Sequence, residues 1–338
     1  MQRSHSFPTR LLSIVAAAAL ALSGCATPPA KETPPADKAT YAARVLALDC
    51  ARVGPDEVRV LAGGPAPRVF LLHGGVFPVH LIMWSFAQFL SRMGYPDASI
   101  RDPATGDWSY TPYDTTQHIA GLIAWSYEQE GMRPMIVGHS QGGLFAVKIL
   151  KELDGQLLAH RPTVYNPDLR AFEDRTTITD PYTGRERPII GLSVSYASVV
   201  GAGGFALALP AWWESFDTLR QIPDTVDEFT GFFVEGDLIA LSFRGNPFDA
   251  PYEATGRAKV RNVYLPTNYN HITVPDTEAL ASDPAARAWI DAYKPGDTDT
   301  AGLSREAQDH VLWAADVWYS VKKQWCMEAQ HLGSARRR

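Results

Sequence analysis

The feature that most constrains this chain is the pentapeptide GHSQG at residues 138–142, which lies between two regular patterns. A continuous apolar run at 134–137 predicts a strand buried on both faces, and an amphipathic pattern at 141–153 predicts a helix. Direct passage from strand to helix requires a sharp turn, in which Ser140 is strained and side chains two residues to either side would collide. Glycine at both of those positions avoids the collision. The sequence therefore predicts a turn that presents the Ser140 hydroxyl as a nucleophile.

The rest of the chain predicts an α/β fold. From about residue 44 onward, short apolar runs alternate with helical patterns, which is typical of a mainly parallel sheet with crossover helices. Strands are expected at 58–61, 68–72, 98–100, 134–137, 189–194, 229–234 and 260–265. Helices are expected at 81–93, 116–130, 141–153, 276–292 and 304–329. A polar surface excursion at 154–187 and an apolar insertion at about 197–227 interrupt the alternation. No repeat or long linker divides residues 44–330, so a single domain is expected there.

The GHSQG turn, an earlier His73-Gly74-Gly75 after a predicted strand, and the order of later acidic and histidine residues resemble the α/β-hydrolase superfamily. The resemblance covers most of residues 58–325 and is closest to the esterase and lipase branches. It implies a mainly parallel central sheet with flanking helices and a cap insertion at about 197–227. It also implies a catalytic triad in the chain order serine, acid, histidine.

The same resemblance implies an oxyanion hole made of two backbone N–H groups. By the family pattern, the residue after His-Gly supplies one of them, here Gly75, and the residue after the nucleophile, Gln141, supplies the other. The HGGG pattern of some esterases has a third consecutive glycine that this chain lacks. Val76 therefore stays open as an alternative donor, and His73 and His139 are assigned structural roles.

The acid and the base of the triad are expected in loops that follow late strands. His271 lies in a polar loop just past the last predicted strand, where the family carries its base, whereas His310 lies within a helical pattern. Asp237 follows a predicted strand and a glycine, as the family's acid does, and Glu235 is its alternative because the strand phase could shift by two. Asp237 would fix the tautomer of His271, which would accept the proton of Ser140.

This constellation predicts a serine hydrolase that cleaves carboxylic esters through an acyl-enzyme. The turn does not specify the leaving group, so amides, thioesters and polyesters are alternatives, as is a non-catalytic protein that uses the scaffold to bind lipid or a partner. No cofactor and no metal are expected, because the sequence has no H-x-x-x-H, no Cys/His cluster and no phosphate- or dinucleotide-binding glycine motif. The formal net charge of −6 offers no basic face, so nucleic acid is not an expected partner.

The insertion at 197–227 is rich in large apolar side chains. They could form a lid or an acyl-binding wall, which would favour a hydrophobic small-molecule or lipid ester, or they could fill the core of the cap itself. Residues 81–89 could line the same pocket. The side chains concerned in the insertion are Phe205, Leu207, Leu209, Trp212, Trp213 and Phe216.

The first residues read as a signal rather than as part of the fold. Arg3 and Arg10 form a short basic region before an apolar run at 11–22 that is too short to span a bilayer as a settled helix. The tetrapeptide LSGC that ends at Cys25 resembles the bacterial lipobox, which implies cleavage of residues 1–24 and lipidation of Cys25. An ordinary secretory signal is the alternative.

Residues 25–43, rich in proline, are expected to tether the lipidated cysteine to the body of the protein. The lipid would thus anchor the protein to a membrane, on the periplasmic side of the outer membrane if the organism is Gram-negative. The chain has three cysteines, and Cys50 and Cys326 remain once Cys25 is lipidated. An oxidising compartment favours a disulfide between them, and two buried thiols are the alternative.

Overall fold

The computed structural model of the protein describes residues 38–76, 78–157, 161–204, 218–243 and 250–335. All of them belong to the unit Asp37–Arg338. The predicted signal peptide, the lipidation site Cys25 and most of the tether lie outside the described residues. So do the six apolar side chains of the predicted insertion, Phe205, Leu207, Leu209, Trp212, Trp213 and Phe216.

The strands vary widely in length, from two residues to nine. In chain order they are β1 (Val69–Leu72), β2 (Met135–His139), β3 (Tyr165–Asn166), β4 (Ala171–Phe172), β5 (Thr177–Thr179), β6 (Glu186–Pro188), β7 (Val194–Val200), β8 (Gln221–Ile222), β9 (Val226–Val234), β10 (Glu253–Ala254) and β11 (Lys259–Leu265). The predicted surface excursion at 154–187 contains two small antiparallel pairs, β3 with β4 and β5 with β6.

Helices precede β1, lie in the connections from β1 to β2 and from β2 to β7, and follow β11. In chain order they are α1 (Lys38–Leu46), α2 (Pro55–Leu61), α3 (Val79–Arg92), α4 (Thr116–Glu130), α5 (Gln141–Leu153), α6 (Pro284–Ala292), α7 (Arg305–Gln308) and α8 (Val311–Ala335), with 3₁₀ helices at Asp97–Ser99 and Glu278–Ala281. In the part of the chain that the structure describes, no helix combines the length and the apolar character needed to cross a bilayer.

Five parallel strands form the central sheet in the order β1-β2-β7-β9-β11, so that their spatial order follows their order in the chain. Each neighbouring pair is joined through a crossover connection. The predicted α/β class with a mainly parallel sheet and flanking helices is confirmed. Because the strands are parallel, their carboxyl ends share one edge of the sheet, and the segments that follow them meet there.

Both faces of the sheet are covered, as a parallel sheet requires. On β1, Leu71 points into a core shared with α3 and α8, whereas Phe70 and Leu72 point into a second core shared with α4 and α5. This alternation is the period of two that a strand imposes. In the first core Phe86 of α3 packs on Trp313 of α8 with ring centroids 4.5 Å apart.

The predicted strand at 58–61 is wrong, because these residues lie in α2. A run of four residues cannot distinguish a strand from a helical turn by periodicity alone. Pro55 at the first helical turn and the hydrogen bond from the Gly54 N–H to the Glu57 carboxylate decide in favour of the helix. The short strand expected at 98–100 is also wrong, since its first two residues belong to the 3₁₀ helix Asp97–Ser99.

The strand expected at 189–194 begins only at Val194 and runs to Val200 as β7. Two serines, Ser195 and Ser198, lie within it, and their polarity conceals a strand whose seven residues are all buried. Ser195 satisfies its hydroxyl on the carbonyl oxygen of Arg133 at 3.2 Å. Residues 197–200 therefore belong to β7 and residues 226–227 to β9, so the insertion predicted at 197–227 is shorter at both ends.

The helices predicted around the GHSQG turn are confirmed with the expected limits, as α4 and α5. The Thr115 hydroxyl caps α4 by accepting from the His118 N–H, and Gly131 ends it in the left-handed region at φ 70°. The structure places the two cysteines of the predicted pair, Cys50 and Cys326, at disulfide-bonding distance, with Cα atoms 5.4 Å apart. The bond joins the loop after α1 to the buried side of α8.

Candidate active site

Ser140 occupies a strained turn between β2 and α5. Its φ of 54° and ψ of −125° lie outside the regions that residues with a Cβ readily adopt. A Cβ at Gly138 would lie 2.6 Å from the carbonyl oxygen of Gly142, and a Cβ at Gly142 would collide with the carbonyl oxygen of Leu72. The steric reason for glycine on both sides of the turn, deduced from the sequence, holds in the structure.

The structure brings together the three side chains that the sequence proposes as a triad. His271 Nε2 lies 2.9 Å from Ser140 Oγ, and His271 Nδ1 lies 2.6 Å from Asp237 Oδ2. The three residues follow β2, β9 and β11 in the chain, which places them at the shared carboxyl edge of the sheet. His271 is only 8% exposed and Asp237 is buried, so water competes little for either hydrogen bond.

The Asp237 carboxylate is held on both oxygens. Oδ1 accepts from the N–H groups of Ile239 and Ala240, each at 2.9 Å, while Oδ2 accepts from His271. Burial disfavours the charged form of Asp237, but the hydrogen bonds from His271 and from the two N–H groups outweigh it and hold the pKa of the carboxyl below its usual value. An ionised carboxylate only accepts, so His271 carries its hydrogen on Nδ1 and presents the Nε2 lone pair to Ser140.

Neither of the alternative residues for acid and base lies in this arrangement. Glu235 precedes Asp237 by two residues and is exposed. His310 lies just before α8, and its buried Nδ1 has no hydrogen-bond partner among the described residues. The structure thus favours Asp237 over Glu235 and His271 over His310.

The two proposed oxyanion donors lie beside the serine. A Cβ at Gly74 would be 3.2 Å from Ser140 Cβ, and Gly75 lies so close to the Gln141 side chain that a Cβ there would collide with its oxygen. Neither the Gly75 N–H nor the Gln141 N–H donates a hydrogen bond to any residue that the structure describes. Gln141 is the first residue of α5, where the helix dipole favours negative charge.

His139 is a structural residue whose role becomes clear only in three dimensions. It is 1% exposed, and its Nε2–H donates to the backbone carbonyl oxygen of His271 at 2.7 Å. Burial lowers the pKa of His139 to about 3, so the ring is neutral at ordinary pH. His139 therefore ties the loop that carries His271 to the end of β2. The sequence places His139 beside the candidate nucleophile Ser140 but does not indicate the His271 carbonyl as its partner.

Gly201 is a site residue that the sequence does not indicate. It follows β7 with φ 61°, and a Cβ there would lie 2.9 Å from both Cε1 and Nδ1 of His271. The residue before it, Val200, accepts a hydrogen bond from the Ser140 N–H at 2.8 Å. The end of β7 thus supports the serine and the histidine together. The sequence gives one sign of this role, a glycine at the end of a strand. The prediction places that strand too early in the chain and so misses it.

Within the described ranges, no group of three or more His, Cys, Asp or Glu side chains could hold a metal ion. No protein-family model and no curated protein matches the chain.

Proposed function

We propose that this protein is a serine hydrolase of the α/β-hydrolase type that cleaves carboxylic esters. The observation that carries the proposal is the continuous hydrogen-bonded series from Asp237 through His271 to Ser140, with distances of 2.6 and 2.9 Å. A nucleophile, a base within hydrogen-bond reach and a third group that orients the base are what such chemistry requires. The strained turn at Ser140 adds support, because strain of this kind collects at functional sites.

The reaction begins with proton transfer from Ser140 Oγ to His271 Nε2 as Oγ attacks the ester carbonyl. The carbonyl oxygen gains negative charge and accepts hydrogen bonds from the N–H groups of Gly75 and Gln141. Each of these hydrogen bonds stabilises the transition state by about 3 kcal/mol, by analogy with measured oxyanion donors. His271 then returns the proton to the leaving alcohol, and the bond from carbon to that oxygen breaks. Water repeats the sequence on the acyl-enzyme, releasing the acid and restoring Ser140.

Asp237 contributes by stabilising the imidazolium that forms while His271 holds the serine proton. Its carboxylate stays ionised because its pKa is held low, so it needs no proton of its own during the cycle. The two N–H groups of the following turn fix its position. The histidine is thereby oriented before substrate arrives, which is the preorganisation that makes such a site efficient.

Exposed apolar side chains support an ester with an apolar acyl group. Val76 follows the proposed donor Gly75, Leu238 follows Asp237, and Ile272 follows His271, and all three are substantially exposed. Apolar surface exposed next to catalytic residues favours contact with an apolar part of a substrate. An apolar acyl chain therefore fits this edge of the molecule better than a charged one.

Hydrolysis of p-nitrophenyl esters of increasing acyl length tests the proposal. We expect turnover by the wild type, with longer chains preferred over acetate, and a loss of kcat of about 10⁴-fold or more in Ser140→Ala and in His271→Ala. His310→Ala, the matched control, should keep most of the activity because His310 lies outside the triad. Turnover that survives in Ser140→Ala, or that depends on His310 rather than His271, would contradict the mechanism.

For its location, we propose a lipid anchor at Cys25 on the cell envelope. The lipobox-like sequence that ends at this residue supports it. The disulfide between Cys50 and Cys326 is also consistent with an oxidising compartment. In the native host, Cys25→Ser should move the protein from the membrane fraction to the soluble fraction, and a variant that stays with the membrane would contradict the anchor.

A further inference from the structure

A short segment before α4 runs alongside the end of β1. Leu72 and Tyr110 form an isolated parallel bridge, in which the Tyr110 N–H donates to the Leu71 carbonyl at 2.8 Å and the His73 N–H donates to the Tyr110 carbonyl at 3.1 Å. Tyr113 follows Tyr110 by three residues, in the turn that precedes α4. The bridge therefore places this turn close to the loop after β1, which holds the proposed oxyanion donor Gly75.

Tyr113 makes one specific contact with that loop. Its hydroxyl donates to the Gly75 carbonyl oxygen at 2.6 Å, a short and therefore well-formed hydrogen bond. The Tyr113 side chain is 69% exposed, so burial of its ring does not explain its orientation. The backbone of Tyr113 is held in turn, since its N–H donates to Thr111 Oγ1 at 3.3 Å and Asp114 pairs with His118 at the start of α4.

Two successive peptide units of the oxyanion loop are thus held from their carbonyl sides. The Gly74 carbonyl accepts from His73 Nδ1 at 2.7 Å, and the N–H of that peptide unit belongs to Gly75. The Gly75 carbonyl accepts from Tyr113, and the N–H of that unit belongs to Val76. In a trans peptide the N–H points away from the C=O, so fixing each carbonyl also fixes the direction of an N–H.

The loop needs these hydrogen bonds because it contains two glycines. Gly74 and Gly75 adjoin each other, and glycine loses more conformational freedom on ordering than any other residue. A loop of this kind would have to be ordered at each turnover unless a side chain kept it in place beforehand. In the Gly74–Gly75 unit, which carries the proposed donor N–H, the hydrogen bond from His73 also polarises the peptide and strengthens that N–H as a donor.

We propose that Tyr113 is a positioning residue of the oxyanion hole, which acts through its hydroxyl on the Gly75–Val76 peptide unit. It keeps Gly75 against Gln141 and beside Ser140, so that the loop is already arranged when the oxyanion forms. This role rests on the proposed function, because without an oxyanion there is nothing for the loop to receive. It acts on the transition state, and so it affects kcat rather than KM.

The test compares Tyr113→Phe with Tyr264→Phe. Tyr264 is also a partly exposed tyrosine, and it stacks on Phe233 at the end of β11, so its variant loses a hydroxyl without touching the loop. For Tyr113→Phe we expect kcat on a p-nitrophenyl ester to fall about 10-fold, with KM within about 2-fold of wild type, less than the loss of a direct donor. A trifluoromethyl ketone inhibitor, which mimics the tetrahedral state, should bind weaker by the same factor as kcat/KM falls.

Each outcome separates this proposal from the function on which it rests. If Tyr113→Phe keeps wild-type kcat while Ser140→Ala abolishes turnover, the role of Tyr113 is wrong and the hydrolase remains. A change confined to KM would mean that Tyr113 contacts substrate instead of positioning the loop. If the wild type hydrolyses no ester and reacts with no tetrahedral inhibitor, both proposals fail. Thermal unfolding of Tyr113→Phe should match the wild type, because its ring lies at the surface.

Discussion

Ser140 is held in a conformation that its neighbours must stabilise. A residue with a Cβ at positive φ costs about 1–2 kcal/mol, and Ser140 has φ 54°. Its N–H donates to the Val200 carbonyl, and its own carbonyl accepts from Gly143 at 2.9 Å in the first turn of α5. The strand on one side and the helix on the other therefore fix the proposed nucleophile, and the strain is offset by the surrounding packing.

His139 makes the stability of the folded protein depend on pH. Its pKa is about 3 in the folded protein, because burial disfavours the charged ring, while histidine in an unfolded chain titrates near 6.5. Between these values the unfolded state binds more protons than the folded state. Stability therefore falls as the pH falls from 6.5 toward 3, by up to about 1.4 kcal/mol per pH unit from this residue.

We predict that His139→Gln removes this part of the pH dependence. Glutamine carries no titrating group and retains an N–H donor for the His271 carbonyl. Between pH 7 and pH 5, the free energy of urea unfolding should fall by about 2 kcal/mol less in His139→Gln than in wild type. Equal pH slopes for wild type and His139→Gln would contradict the buried, neutral state of His139.

At the scale of elements, the sequence predicts best where its patterns are long. The limits of α4 and α5 follow from fifteen- and thirteen-residue patterns with glycine at their boundaries. Short runs carry less information, so 58–61 reads equally well as strand or helix and is in fact helical. β7 begins later than the sequence predicts, because this strand, buried on both faces, includes two serines whose hydroxyls mask the apolar run.

The candidate site, like the fold, is predictable from the sequence only in part. Ser140 follows from a local motif, and Asp237 and His271 follow from their order after predicted strands. The sequence favours Asp237 but leaves Glu235 open, because a shift of two residues leaves the strand pattern unchanged. It also cannot reveal Gly201 or Tyr113, because their roles depend on contacts with residues about 70 and 38 positions away, which only the folded chain brings together.

The end of β7 provides a prediction at this scale. Gly201→Ala should reduce kcat about 100-fold, because its Cβ would lie 2.9 Å from two atoms of the His271 ring and would displace the imidazole. Gly184→Ala is the matched control, since Gly184 has φ 65° and a Cβ there would meet no atom of the described residues within 4 Å. Both variants should lose about 1 kcal/mol of stability from the positive φ.

Kinetics with a p-nitrophenyl ester and urea unfolding of both alanine variants check this expectation. A Gly184→Ala variant with normal kcat and a Gly201→Ala variant with greatly reduced kcat, at similar stabilities, would support a role of the β7 end in placing His271. Similar kcat for the two variants would contradict it.

At the scale of the whole molecule, the candidate site lies at one edge of the sheet. A disulfide joins two segments that are far apart in the sequence. The carboxyl ends of β1, β2, β7, β9 and β11 each lead into a segment that contributes to the site. Cys50 and Cys326 are 276 residues apart, so their bond restrains almost the whole described chain. The bond joins the loop after α1 to α8 and contacts none of the proposed catalytic residues.

We predict that loss of this disulfide lowers stability and leaves the chemistry intact. In Cys50→Ala, the free energy of urea unfolding should fall by about 2–5 kcal/mol, as expected when a long loop is no longer closed. The kcat at 25 °C should stay within about 2-fold of wild type, since the proposed triad does not touch the bond. Reduction of the wild type should give the same loss, and reductant should have no further effect on Cys50→Ala. An unchanged stability, or a large loss of kcat in the folded variant, would contradict this expectation.

The central claim is that His271 activates Ser140 as a nucleophile, and covalent labelling tests it most directly. A fluorophosphonate probe is incubated with wild type, Ser140→Ala and His271→Ala, and the labelled peptide is then mapped by mass spectrometry. We expect one adduct per wild-type molecule, located on Ser140, none in Ser140→Ala, and labelling slowed at least about 100-fold in His271→Ala. A wild type that takes up no probe, an adduct on another residue, or equal labelling of Ser140→Ala would contradict the claim.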